Sequence, residues 1–401
     1  MEGTPLPSPL AAHIAAAPRR HDNGRPLWQG PCGAGPLGGI TQSMLVRFLS
    51  CRERFRLKYV LGLEPHDRWN HRIGYGHMWH ECEQSHAARL DYRRNLTNHA
   101  IAQAERYPMQ REEIEKWWNV CLVQFPEYVK YWSEHPDVLN RTPLLQEQVF
   151  NVPYTLPSGR VVRLRGKWDS VDLIADPDQP QSIYLQENKT KGDVDKMQIE
   201  RQLKFDLQTM MYLIALCIEQ KRRAVTPSEV LSGRTPVQSL YEMTCPILGV
   251  RYNVVRRPLS GGVGSIKPHA AKATKTKMTP AETPEQFYER LRRDYLAADP
   301  DHWFFRVRAE ISARDVQVFR ETCLDPLLET LCYWYEQITG FAGYGARGTE
   351  AMGVFPPMNY RTPFGVYSSL EEGGATEYDA YLETGSEVGL RRVETLFPEL
   401  Q

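Results

Sequence analysis

No run of about 18 apolar residues, the length that a membrane-spanning helix needs, occurs anywhere in this chain. The first residues show no basic segment leading into an apolar core, so no secretory leader is expected. None of the eight cysteines forms a Cys-x-x-Cys pair, the spacing of many zinc and dithiol sites. That leaves reduced thiols among apolar neighbours, as Cys217 in Leu-Ile-Ala-Leu-Cys-Ile, and a reducing, cytoplasmic setting. Net charge is missing as well: 49 Lys and Arg face 49 Asp and Glu. Such a chain does not attract a polyanion as a whole, and a nucleic-acid binder of this composition needs a local basic cleft. No internal repeat is present.

What the chain does have is a globular composition, 41% hydrophobic and 24% charged over 401 residues, enough for one large domain or two small ones. Residues 1–39, rich in Pro, Gly and Ala, read as a disordered arm. A domain is expected over 40–340, with a helical insertion over about 76–135 and a mobile basic loop over about 258–282, then an irregular segment over 341–401 that leans acidic. Its first helix carries Met44, Leu45, Phe48, Leu49, Phe55 and Tyr59 at helical spacing. Arg47, Arg52, Arg54, Arg56 and Lys58 lie on the other faces, where a solvated surface is the simpler reading and phosphate contact the functional one. A second helix starts near Gly76, and a third covers 109–134 after a bend at Tyr107-Pro108. Two β-rich runs, 145–154 and 161–174, flank the hairpin signal Leu156-Pro-Ser-Gly159, and a third strand covers 182–189. A long helix over 198–220, a strand or pair of strands within 241–255, helices over 284–297 and 313–338, and a strand over 302–311 complete the reading. The class is α/β: a central mixed β-sheet flanked by helices, with a helical layer before it.

Three motifs in this frame carry chemistry: Gly166-Lys-Trp-Asp169 in a strand, Glu187-Asn-Lys189 in the next, and Gln208-Thr-Met-Met-Tyr212 in a helix. Side chains at i and i+2 share a strand face. Glu187 and Lys189 therefore point together, Ile183 and Leu185 continue that face into the core, and Asn188 faces away. The turn Asp176-Pro-Asp-Gln-Pro180 brings Asp169 beside Glu187. Two adjacent carboxylates repel and call for a proton or a cation. A hard divalent ion suits the oxygen ligands. His80, from Gly76-His-Met-Trp-His80, adds an imidazole that suits Mn²⁺ as well as Mg²⁺. His80, Asp169, Glu187 and the Asn188 carbonyl are then the expected ligands. A metal there polarises a phosphate and lowers the pKa of a bound water, while Lys189 orients that water and stabilises developing negative charge. Gln208 and Tyr212, four apart on one helix face, hydrogen-bond the site or a substrate backbone. A lone Glu-x-Lys is a weak signal, since Glu219-Gln-Lys221 is another inside a helix. The order of the motifs, each on the element its chemistry needs, is the stronger one.

These residues resemble the PD-(D/E)XK nuclease superfamily, and within it the RecB-like exonuclease branch. The resemblance rests on Gly76 to His80, on Gly166-Lys-Trp-Asp169-Ser-Val-Asp172, on Glu187-Asn-Lys189-Thr190 and on Gln208 to Tyr212. Ser50-Cys-Arg-Glu-Arg-Phe55, Tyr59-Val-Leu-Gly-Leu63 and Glu147-Gln-Val-Phe150 extend it over roughly 41–256. It implies a restriction-endonuclease-like core, cleavage of DNA with one or two divalent metals, exonuclease action, and work in recombination, repair or phage DNA processing beside a helicase or recombination protein. Some members hold an iron–sulfur cluster through one early cysteine and three late ones. Cys51 stands at the early place, but Asn359 to Tyr367 resembles the later segment without a cysteine, and none follows Cys332. Four thiolates are the usual requirement, so no iron–sulfur cluster is expected and Cys51 reads as a small core residue.

Other residues carry two readings each. His77 is read as structural. Asp172 and Glu147 either support the ligands or lie on the surface. Lys167, on the face of Asp169, touches phosphate or forms a plain ion pair. Arg256, Arg257, Lys267 and Lys275 are candidate DNA contacts, although a solvated linker is the simpler account of the loop. Trp117, Trp118, Tyr128 and Trp132 are spaced for packing rather than for stacking on bases. A metal-dependent deoxyribonuclease is the leading reading. An endonuclease of a restriction or defence system and an inactive nucleic-acid-binding module are the alternatives.

Overall fold

A computed structural model describes residues 27–50, 52–65, 68–133, 140–175, 180–192, 196–224, 245–260, 265–273, 278–340, 386–393 and 395–397, with a few single positions besides. Cys51, Lys275 and the segment 359–367 lie outside the described residues.

The chain opens earlier than its composition suggests. Residues 27–39, expected to belong to a disordered arm, pack on the core: Trp28 is fully buried and its indole N–H donates to the Gly39 carbonyl at 2.7 Å. Few apolar residues occur here, but the large ones are sandwiched, with Trp28 edge-on to both Phe55 and Tyr335. Helix α1 (Gln42–Ser50) buries Met44, Leu45 and Phe48, and a short helix (Arg52–Phe55) and a π-helical turn (Arg56–Val60) follow it. After strand β1 (Leu63–Pro65) come α2 (His71–Ala87), α3 (Tyr92–Arg106) and α4 (Arg111–Ser133). The second helix thus begins before Gly76, where Asn70 caps it by accepting from the Arg72 N–H at 2.8 Å. A separate helix, α3, precedes the bend at Tyr107-Pro108.

The hairpin β2 (Arg141–Thr155) and β3 (Val161–Ile174) leads into β4 (Ser182–Lys191), then α5 (Lys196–Leu203), α6 (Leu207–Ala224) and β5 (Ile247–Arg256). The single long helix expected over 198–220 is two helices. Asp206 interrupts it, accepting from the Thr209 backbone N–H and hydroxyl, both at 2.8 Å, and so starts α6 afresh. The expected basic loop contains a small hairpin, β6 (Lys272–Ala273) and β7 (Met278–Thr279). Then follow α7 (Pro284–Arg290), α8 (Pro300–Trp303), β8 (Phe304–Glu310), α9 (Ala313–Phe319) and α10 (Asp325–Gly340). The C-terminal segment is not wholly irregular: β9 (Leu390–Arg392) pairs antiparallel with β1, and Leu396 and Phe397 are buried.

The main sheet has the order β2-β3-β4-β5-β8. β2, β3 and β4 form an antiparallel meander, β4 and β5 are parallel, and β8 is antiparallel to β5. Apolar side chains cover both faces. One core gathers α1, α6 and α10 with Ile183, Leu185, Val250 and Val254. The other gathers α2, α3, α4 and α7 with Val255 and Phe304. Helices on both faces of a mixed sheet, with further helices before it, make a restriction-endonuclease-like α/β core. None of the described helices is long and apolar enough to cross a membrane.

Candidate active site

The site forms where the β3–β4 ladder ends. Their pairing stops at Ser170 opposite Gln186. Just beyond it the Asn188 backbone N–H donates to Asp169 Oδ2 at 2.7 Å, so a carboxylate takes the place of a strand partner. Asp169 itself is carried by a strand that packs on α6, where the Trp168 indole N–H donates to the Tyr212 carbonyl at 3.3 Å. Gly166 leaves room there: a Cβ at that position would stand 2.5 Å from the Phe150 ring and 3.0 Å from the Tyr212 ring.

Glu187, one residue along β4, is 1% exposed. Its Oε2 accepts from Lys189 Nζ at 3.1 Å and from Gln208 Nε2 at 2.9 Å. Its Oε1 is buried without a hydrogen-bond partner among the described residues. Burial pushes this carboxyl well above the usual carboxylate range; Lys189 opposes the shift and Asp169 adds to it. For Lys189, burial alone would favour the neutral amine. The Glu187 and Asp169 carboxylates outweigh it, so its pKa is raised and the ammonium persists. Gln208, in the first turn of α6, closes the triangle by accepting from Lys189 Nζ at 2.9 Å. An ammonium only donates and a carboxylate only accepts, which fixes which way the amide faces. Tyr212, one turn on, packs edge-on to Phe150 at 5.2 Å, and burial next to Glu187 and Asp169 raises its phenol pKa.

His80 comes from α2, which crosses close over β4. Ligand atoms of His80, Glu147 and Asp169 lie within 4.8 Å of one another. Sequence reasoning ranked Glu147 as a supporting or surface residue, and the structure sets it among the candidate ligands. The reason is local. Glu147 falls between the paired positions Gln146–Ser170 and Gln148–Trp168 of the β2–β3 register and leaves the extended conformation, with φ 47°. A non-glycine residue in the left-handed region is strained, and here the strain belongs to a side chain gathered with Asp169 and His80. The only sequence signal was Glu147-Gln-Val-Phe150. Lys167 forms the plain ion pair, with Glu147 Oε2 at 2.5 Å, while also lining the cavity.

This donor set fits a hard divalent ion: carboxylates and one imidazole, with a buried carboxylate oxygen left without a partner. The cavity between them holds about 320 Å³ and is lined by His77, His80, Lys167, Asp169, Glu187, Lys189, Gln208 and Tyr212, with Thr41 and Ser43 at one side. All the expected catalytic side chains are therefore brought together. The expected DNA contacts Arg256, Arg257 and Lys267 do not line this cavity. Arg256 lies over the Phe305 ring, Arg257 donates to Ser260 Oγ at 2.9 Å, and the Lys267 carbonyl accepts from Arg290.

The other face of β4 is polar and borders a second cavity, of about 600 Å³, lined by Glu83, Tyr128, Gln186 and Asn188 among others. The Asn188 side chain accepts from Gln186 at 3.3 Å and from Asn253 at 3.0 Å. Asn253 reaches Glu83 at 3.1 Å and Tyr128 at 2.6 Å. Burial pushes the Glu83 carboxyl up to about 7. Asp172 belongs here too, fully buried, with Arg251 at 2.9 Å and Arg141 at 2.7 Å. This network anchors the peptide that carries Glu187 and Asn188 from behind.

A family model described as the PD-(D/E)XK nuclease superfamily matches residues 40–317, more than half of the chain. No curated protein matches it.

Proposed function

We propose a function from one premise: the chain belongs to the PD-(D/E)XK nuclease superfamily. The family makes it a metal-dependent nuclease, a hydrolase of phosphodiester bonds. Our reading is finer: a deoxyribonuclease of the RecB-like branch, an exonuclease in recombination, repair or phage DNA processing, using Mg²⁺ or Mn²⁺. One observation carries the reading. Asp169, Glu187, Lys189 and Gln208 line one cavity, and α2 delivers His80 to the same place. A histidine so placed supports the RecB-like assignment.

In this reading His80, Glu147, Asp169 and Glu187 hold the ion, which when bound supplies a Lewis acid and a water of lowered pKa. The residues do the rest. Glu187 and Gln208 pin the Lys189 ammonium, and its retained charge meets the negative charge that develops on the phosphate. Asp169 is oriented by the Asn188 peptide, and that peptide by the Asn253 network behind it. Tyr212 and Phe150 wall the cavity from the core.

The test is digestion of linear and closed circular DNA with Mg²⁺, Mn²⁺ or EDTA, by the native chain and by Lys189→Ala. Metal-dependent loss of linear DNA alone, absent in the variant, is expected. Cleavage of the circle moves the protein to the endonuclease reading. Turnover by Lys189→Ala overturns the mechanism.

A further inference from the structure

A second cleft adjoins the catalytic cavity. It holds about 590 Å³, and Thr41 and Ser43 line both spaces. Its walls bring together Arg47 from α1, Lys58 from the π-helical turn, Arg106 from the end of α3, and Arg391 and Arg392 from β9. Glu64 is the one carboxylate in that lining, and Glu387 beside it pairs with Arg392, so five cationic groups against two carboxylates leave a surplus of three positive charges. The chain as a whole has none to spare. We infer that this cleft binds the sugar–phosphate backbone of the strand being cut, next to its scissile phosphate; the inference rests on the nuclease reading above.

The arrangement argues for a polyanion rather than for a fortuitous surface. Glu64 sits between Lys58, at 2.5 Å, and Arg391, at 2.9 Å. It holds two cations in place, Glu387 holds Arg392 from outside the lining at 2.5 Å, and cations still outnumber acids in the cleft. Arg47 has no carboxylate partner among the described residues. The cations arrive from distant parts of the chain, and bringing like charges into one cleft is unfavourable unless an anion occupies it. Thr41, Ser43 and Thr395 add neutral hydroxyl donors, the usual companions of Arg and Lys on phosphate oxygens. Continuity with the catalytic cavity favours a chain of phosphates over a free one. The cleft is a recess rather than a flat face, so it takes the backbone of one strand. The expected basic loop is a poorer candidate: the recess lined by His269, Glu282, Glu285, Glu289 and Arg290 carries acids beside its cations.

The test is binding of a fluorescent single-stranded oligonucleotide, in Ca²⁺, over a range of NaCl concentrations. The pair Arg47→Gln and Arg392→Gln should make the salt slope shallower by about 1.4, two contacts of about 0.7 each on a single strand. The reversal pair Arg47→Glu and Arg392→Glu should weaken binding further. Both positions are at the surface, and the neutral pair guards against a folding defect in the reversed one. Wild-type slope and affinity in both pairs overturn the inference. So does a cleft that takes inorganic phosphate, by calorimetry, while strand binding is unchanged in the variants. If the native chain neither binds nor cuts a strand, the nuclease reading itself falls. A native chain that binds and cuts, with indifferent variants, sinks only the assignment of the cleft.

Discussion

Asp172 and Glu187 are carboxylates on neighbouring strands, sealed from solvent to the same degree, yet their surroundings differ. Asp172 accepts from the Ser170 hydroxyl at 2.6 Å and lies against two guanidinium groups, Arg251 and Arg141. Glu187 has one ammonium, one amide, an oxygen with no partner, and Asp169 close by. Burying a charge is tolerable when its hydrogen bonds are met and costly when they are not. Asp172 is therefore scaffold. Glu187 is a group kept short of partners, and in the proposed reading the missing partner is a cation.

The largest effect should come from the unsatisfied side. Glu187→Gln removes the charge that calls for the cation, and Lys189→Ala removes the charge that meets the phosphate. Each should lower cleavage by about 10²–10³-fold or more. Glu187→Gln takes one carboxylate from the Lys189 ammonium but leaves it Gln208 and Asp169, so its melting temperature should fall much less than that of Asp172→Ala. A gel assay and a melting curve on the same preparation check both halves. A Glu187→Gln variant that cuts well, or that unfolds as early as Asp172→Ala, would erase the distinction between the two carboxylates.

Asp172→Ala should do the reverse. It strands Arg251, which is 1% exposed, and breaking such a buried pair costs about 3–5 kcal/mol. The expected readout is a large drop in melting temperature, with cleavage per folded molecule retained. Equal loss of cleavage at unchanged stability would place Asp172 in the site.

Glu147→Gln sharpens the comparison from a third carboxylate. If Glu147 is a ligand beside His80 and Asp169, Mn²⁺ affinity should fall at least about 10–100-fold, the range seen even for groups that only support ligands. Titration of Mn²⁺ without nucleic acid reads this directly. An unchanged affinity would return Glu147 to its ion pair with Lys167.

The sequence made Asp169, Glu187, Lys189 and Gln208 legible because two periods decide them. Alternation along β4 puts Glu187 and Lys189 on one face, and the helical repeat aligns Gln208 with Tyr212. The meander was legible from its turn residues and alternating burial. Glu147 was not, because its place depends on one residue with positive φ inside a strand, and no periodicity reports that. Trp28 was hidden by the Pro and Gly around it: composition averages over a window, whereas one tryptophan between Phe55 and Tyr335 is enough to anchor its neighbours. The basic cleft was out of reach for another reason. Arg391 and Arg392 reach the cleft through the pairing of β9 with β1, a contact between distant parts of the chain.

Tyr212 tests how sharply the two kinds of residue separate. Its motif marks it as catalytic, yet its ring fills the space beside Gly166 and Phe150 as a core residue would. Its hydroxyl lies near Gln208, whose amide already answers to Lys189 and Glu187. A Tyr212→Phe change keeps the ring and removes only a hydroxyl, a change worth at most one neutral hydrogen bond, about 0.5–1.5 kcal/mol. Cleavage should fall by less than about tenfold, with little change in melting, because the amide is held from two other sides. A loss as large as that of Lys189→Ala would mean that the hydroxyl acts on the substrate. The boundary between scaffold and site would then run through the ring of Tyr212 itself, with packing on one edge and chemistry on the other.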